Sequence, residues 1–245
     1  MTISKPLFIS IIVSLYSAVI FGLTSAPTKA STVPAASEVS IDLRNMKDGS
    51  SFLLPICNEI LGWHDYSCET ELLIYHPEKT TKSGCRLFYK DHQIRVEVIG
   101  GGYRNGSVLV RDHDGHTVVQ GGPMLGHMKT TVDPDSRVLI LPNGTNVTKS
   151  DLPDVMSEMK ERLTHGWPCK MSDKPVIDPE TGQSVYVVVL FEPGKTSIPS
   201  REFFVDAEKK IPVRIDLYKD EKRISTARFK DMRVNVGLSD SLFHL

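Results

Sequence analysis

Asp112-His-Asp-Gly-His116 gathers carboxylate and imidazole groups into one short stretch, with His127 not far along the chain. These residue types ligate metals or carry acid–base chemistry, but a metal site needs three or four of them converging with fixed geometry. Residues on so short a turn cannot all aim at one centre. The Asp-Gly step equally fits a tight turn that requires positive φ. An exported hydrolase or metalloprotein using Asp112 to His116 is therefore the alternative reading, not the leading one. Cys57, Cys68, Cys85 and Cys169 form the other reactive set. They lack the close pairs of a zinc ribbon, and in an exported chain an even count allows two bridges with three connectivities, left open by the spacing. At least one disulfide is expected. Gly100-Gly-Gly102 lacks the Lys-Ser/Thr and the helix of a phosphate loop, and no nucleophile elbow or His-Glu-x-x-His motif occurs. The sequence thus assigns no catalytic residue, no metal ligand and no cofactor.

The elements around these residues suit a container. Lys5, the apolar run from Leu7 to Leu23 and the small-residue flank Thr28-Lys-Ala30 read as a cleaved leader over residues 1–30. Periplasmic or secreted localisation follows, with a mature chain not integral to the membrane. Residues 31–51, rich in Ser, Ala and Pro, read as a linker before one domain over residues 52–245. A net charge of −1 with scattered basic residues argues against a nucleic-acid partner, which needs a concentrated basic face.

Hydrophobic periodicity predicts mostly strands. Ile94, Val96 and Val98 alternate with Arg95 and Glu97, and Val213, Ile215 and Leu217 alternate with Arg214 and Asp216. The apolar sets should line the concave face of one antiparallel sheet, with the charged sets outside in water. Ser50 or Ser51 can cap a short helix that ends at Leu61 before Gly62. A second helix places Leu152, Val155, Met156, Met159 and Leu163 on one stripe, capped by Ser150 or Asp151 and ended at Gly166. Its methionines offer a soft, adaptable surface. The expected class is α+β, mainly β: a half-open antiparallel β-barrel with helices over its apolar concave face.

The residues Asp65-Tyr-Ser-Cys68, Arg86-Leu-Phe-Tyr-Lys90 before Ile94-Arg-Val-Glu97, Ile211-Pro-Val-Arg-Ile215, Phe229-x-Asp-x-x-x-Asn235 and Leu238-Ser-Asp-x-Leu-Phe243 carry a resemblance. Over roughly Ser51 to Leu245 the chain resembles the LolA-like superfamily of bacterial envelope proteins. The resemblance implies a hydrophobic cavity for the acyl chains of lipids or lipoproteins, with envelope proteins as partners, for carriage or sensing. Carriers of that family have an arginine directly after the lysine matched by Lys90, where this chain has Asp91. Ile94, Val96, Val98, Val213, Ile215 and Leu217 become the expected cavity wall, and Val155, Met156 and Met159 the expected lid.

Overall fold

The computed structural model describes residues 46–100, 105–123, 126–195 and 197–245. The expected leader, most of the expected linker and the centre of the loop at Gly100–Gly106 lie outside the described residues. Thirteen strands form one sheet: β1 (Lys47–Asp48), β2 (Asp65–Tyr75), β3 (Thr80–Lys90), β4 (Gln93–Val98), β5 (Val108–Arg111), β6 (Thr117–Gln120), β7 (Lys129–Val132), β8 (Cys169–Met171), β9 (Val176–Ile177), β10 (Ser184–Phe191), β11 (Pro199–Asp206), β12 (Pro212–Lys219) and β13 (Lys222–Val234). Their order is β1-β8-β10-β11-β12-β13-β2-β3-β4-β5-β6-β7, with β9 beside β10, and every pairing is antiparallel. The sheet does not close, because β1 and β7 are its two ends. Both are short, which limits edge-to-edge pairing with other chains.

Directly paired residues share a face, so the registers can be read as rows across the sheet. One row runs Val132, Thr117, Arg111, Ile94, Tyr89, Tyr66 and Val234; the next runs Thr130, Val119, Leu109, Val96, Leu87 and Cys68. Val98, Cys85, Thr70 and Phe229 follow. Two further rows continue on the same face: Met171, Val188, Phe203, Ile215, Ala227 and Leu72, then Cys169, Leu190, Arg201, Leu217, Ser225 and Ile74. One buried cluster joins Val96 on β4 to Met171 on β8. Seven inter-strand steps separate those strands, roughly 33 Å if flat. Only a strongly curled sheet brings them around a single core, so this is the concave face.

Helices α1 (Ser50–Leu61) and α2 (Leu152–Thr164) fill it. Leu53, Ile56, Cys57 and Ile60 of α1 join Leu152, Met156 and Met159 of α2 in the same cluster, and Cys57 Sγ lies 3.8 Å from Met156 Sδ. Gly49, not a serine, precedes α1. A Cβ there would stand 2.9 Å from the Lys170 backbone, so only glycine lets β8 pass this close. The strand at Lys47–Asp48 and the start of α1 fall within the stretch read as linker. Asp151 caps α2 by accepting from Asp154 N at 2.9 Å, and Gly166 (φ +76) follows its end.

The closing tail docks through one carboxylate. Asp65 accepts from Val236, Gly237 and Leu238 N–H groups at 2.8, 2.9 and 3.2 Å. Lys90 Nζ donates to Leu238 O at 2.8 Å and pairs with Asp240 at 2.6 Å. Phe243 is buried behind them, and Arg95 Nη1 donates to Leu242 O at 2.9 Å. The charged flank of β4 therefore binds the tail instead of standing in open water.

Candidate functional site

The concave face is apolar except for a few polar groups, and these hold α2 down. Tyr66, stacked on Tyr89 at 5.4 Å, accepts from Leu152 N at 2.9 Å. Arg111 reaches over from β5. Its Nε and Nη2 donate to His92 O at 3.1 and 2.8 Å, Nη1 donates to Thr148 O, and the guanidinium pairs with Asp151 and Asp154 at 3.3 Å each. Every edge of that guanidinium is engaged. Asp151 has a fully buried side chain. Burial first, and then the Asp154 charge, push its carboxyl up to about 7, against the opposing pull of the Asp154 N–H and Arg111. At the middle of α2, Glu158 pairs with Arg201 of β11 at 3.2 Å.

Ile94, Val96 and Ile215 lie in the concave core with Met156 and Met159, as the alternation predicts. Val98, Leu217 and Val155 share that side of the sheet but are only half-buried; Val155 packs against the buried cluster, while Val98 and Leu217 lie outside it. Val213 departs from the expectation. The register shifts between Phe204 and Val205, Pro212 pairs with Val205, and Val213 falls in a second cluster with Val185, Val187, Val189, Phe191 and Phe204 on the outer face. A bulge inserts one residue, which breaks the period-2 rule locally. Met156 and Met159 also differ from a lid that opens cheaply: both are completely buried.

The outer face around β12 is not wet. Arg214 and Asp216, expected in solvent, are 4% and 0% exposed. The segment after β8, through β9 to Gln183, supplies Asp178 and Glu180 to them. Arg214 donates to Asp178 at 2.8 Å and forks onto Asp216, while its guanidinium lies 3.9 Å above the Phe204 ring. Arg223 bridges Asp216 and Glu180 at 3.1 and 2.9 Å, and Thr226 donates to Asp216 at 2.7 Å. Arg228 pairs with Glu71 and Glu180, and Tyr218 donates to Glu202 at 2.8 Å. Against burial, the Lys82 ammonium and then Arg228 hold Glu71 below the usual carboxylate range, and Arg228, Arg214 and Arg223 do the same for Glu180, whereas burial lifts Glu202. Nothing in the period-2 pattern distinguishes this network from a solvated face; its signal is only the charge density of β12 and β13. At its edge a cleft of about 660 Å³ is lined by Glu180, Asp206, Lys209, Val213, Arg228 and Arg233, among others. The cleft opens where β12 stops pairing with β13 at Arg214–Arg228, leaving Phe229–Val234 beside β2 alone among the described residues. No nucleophile–base pair faces into it, and its charges are mixed.

Asp112 to His116 make the β5–β6 turn. His116 N donates to Asp112 Oδ1 at 2.8 Å, the His116 ring lies 3.3 Å from Asp112 Oδ2, Gly115 has φ +84, and the side chains of His113, Asp114 and His116 stand exposed. Among the described residues no three metal-ligating side chains converge. The hydrolase or metalloprotein alternative gains no support from this turn. The expected disulfide is corrected as well: all four cysteines are free. Cys68 and Cys85 share the Thr70 hydroxyl and Cys57 lies near Cys169, yet neither pair is bridged, and burial pushes Cys57 and Cys85 to about 11 and Cys68 and Cys169 to about 12.

No protein-family model matches the chain, and no curated protein does. Solved structures are similar in fold. A DUF1329 family protein from Desulfovibrio piger is 13% identical, with 81% of this chain and 98% of that one covered and a TM-score of 0.44. An uncharacterised conserved protein from Thermus thermophilus is 11% identical over 80% and 92%, with a TM-score of 0.49. A LolA superfamily protein from Nitrosomonas europaea is 10% identical over 80% and 97%, with a TM-score of 0.45. Of these, the Nitrosomonas europaea protein belongs to the superfamily that the sequence resembles.

Proposed function

We propose that this chain is an exported envelope module that binds acyl chains of lipids or lipoproteins between α2 and the concave sheet, for carriage or sensing. The supporting observation is the fringe of Val98, Val155 and Leu217. These side chains are half-buried and apolar, Val155 against the packed centre and Val98 and Leu217 on the same side beyond it, on a sheet whose ends do not meet. A tail entering there exchanges water for apolar contact at ~0.8 kcal/mol per methylene. A dozen carbons contribute on the order of 10 kcal/mol before ordering costs. Met156, Met159 and Cys57 supply the polarizable surface that re-packs around tails of different shape. In this reading Ile94, Val96 and Ile215 form the cavity floor and Val155 the lid, with the completely buried Met156 and Met159 as its packed underside. Val213, on the other face, has no part in it. Binding requires no directional chemistry, cofactor or metal. Envelope proteins that deliver or receive the ligand are the proposed partners.

A fluorescent long-chain fatty-acid probe tests this on the full chain. The parent should bind it, and Val155→Trp combined with Leu217→Trp should weaken binding by at least about tenfold while the β circular-dichroism signal survives. Asp substitutions at Met156 or Met159 are unsuitable, because an unpaired carboxylate in that core would unfold the chain. A parent that binds neither the probe nor lipids co-purified from its envelope overturns the proposal.

A further inference from the structure

Two arginines stand among the apolar rows of the concave face, and their surroundings differ. Arg111 is fully engaged by two backbone carbonyls and two carboxylates. Arg201 is not. Its Nη1 donates to Glu158 Oε2 at 3.2 Å and approaches Met159 Sδ at 3.7 Å, while its Nε is buried and makes no hydrogen bond among the described residues. Glu158 is itself shared, since its other oxygen pairs with Arg162. Two guanidiniums therefore meet one carboxylate, which is 40% exposed while the Arg201 side chain is 13% exposed. Arg162 stacks over Trp167 at 4.3 Å, which fixes the second cation beside the first. Burial chiefly, and Arg162 secondarily, work against the Arg201 charge, and Glu158 offsets them only in part. Among the described residues Arg201 therefore has only a shared carboxylate.

The position matters as much as the charge. Arg201 shares its row with Leu190 and Leu217, and Leu217 belongs to the half-buried fringe. We propose that Arg201 anchors the head of the ligand: its guanidinium takes an anionic head group, carboxylate or phosphate, whose acyl chain runs from there over Leu217 along the concave face. The planar fork of an arginine matches both anions, and its free Nε–H and remaining Nη–H donors can address two oxygens at once. Glu158 is then the occupant that the head group displaces or shares, which links ligand arrival to the hold on α2. This inference rests on the acyl-binding reading above and names the class of ligand.

The test compares amphiphiles of one chain length on the full chain by titration calorimetry: a fatty acid, an alkyl phosphate and a fatty alcohol, with acetate and inorganic phosphate as tail-free controls. The acid and the phosphate should bind at least about tenfold tighter than the alcohol. Arg201→Gln should remove that preference while leaving alcohol binding in place, and Arg201→Lys should restore part of it. Should Arg201→Gln fail to fold, Glu158→Gln reads the same point, because freeing Arg201 of its carboxylate should widen the preference for anions. Equal binding of acid and alcohol overturns the anchor and leaves the acyl-binding reading standing. Binding of acetate or inorganic phosphate as tight as that of the amphiphiles also overturns it. Binding of none of the amphiphiles overturns both.

Discussion

Replacing Asp151 with Asn isolates the one carboxyl that folding buries against α2. Its neighbours are Arg111, Asp154 and the hydroxyls of Tyr66 and Tyr89, and its side chain has no exposure to solvent. Burial and Asp154 raise it from 3.8 to about 7, so the folded state binds a proton that the unfolded chain releases near pH 4. The contribution is fully present below about pH 4 and is lost as pH rises through 7. At ~1.4 kcal/mol per pH unit, this window corresponds to on the order of 4 kcal/mol for a group that follows it completely. Asparagine keeps the helix cap, because its side-chain oxygen accepts the same Asp154 N–H, but it has no proton to release. Urea unfolding of both proteins at pH 4.5, 6 and 7.5 should show the parent losing several kcal/mol more than the variant across the series. Amide protection in the first turn of α2, after division by the intrinsic base-catalysed rate, should fall with pH in the parent alone. Parallel stability curves would mean that Asp151 is ionised throughout and that Arg111 outweighs burial; the argument from desolvation would then be wrong.

Arg214→Met leaves Asp178 and Asp216 buried with one cation fewer, and breaking a buried pair costs ~3–5 kcal/mol. The urea midpoint should fall accordingly with unchanged slope, and a loss under ~1 kcal/mol refutes the network's role. Unfolded, unreduced protein should titrate four thiols, matching the four free cysteines. The native protein should react with an aromatic disulfide reagent at pH 8 far more slowly than the unfolded one, because burial keeps the thiolate fraction low. Fewer than four titratable thiols contradicts the structure.

The strand-rich class, the concave faces of β4 and part of β12, the stripe of α2 and its Asp151 cap are all local facts. Each follows from side-chain period or from hydrogen-bonding groups a few residues apart, so Ile94, Val96, Ile215, Met156 and the cap were legible in the chain alone. The short strands β1, β7, β8 and β9 were not, since two to four residues carry too little pattern and exist only because a neighbour accepts their hydrogen bonds. Val213 fell on the wrong face because a bulge is decided by how β11 and β12 pair. Arg214 and Asp216 have the alternation of a wet strand, yet a segment more than thirty residues earlier, carrying Asp178 and Glu180, covers them. The cysteine count permitted bridges, but packing brings Cys68 near Cys85 and Cys57 near Cys169 as free thiols. Arg201 looks like any outward charge in a strand until its register with Leu190 and Leu217 turns it inward. Period and composition decide which face of an element is apolar; pairing and coverage decide which charges end up without water, because desolvation depends on atoms brought from elsewhere in the chain.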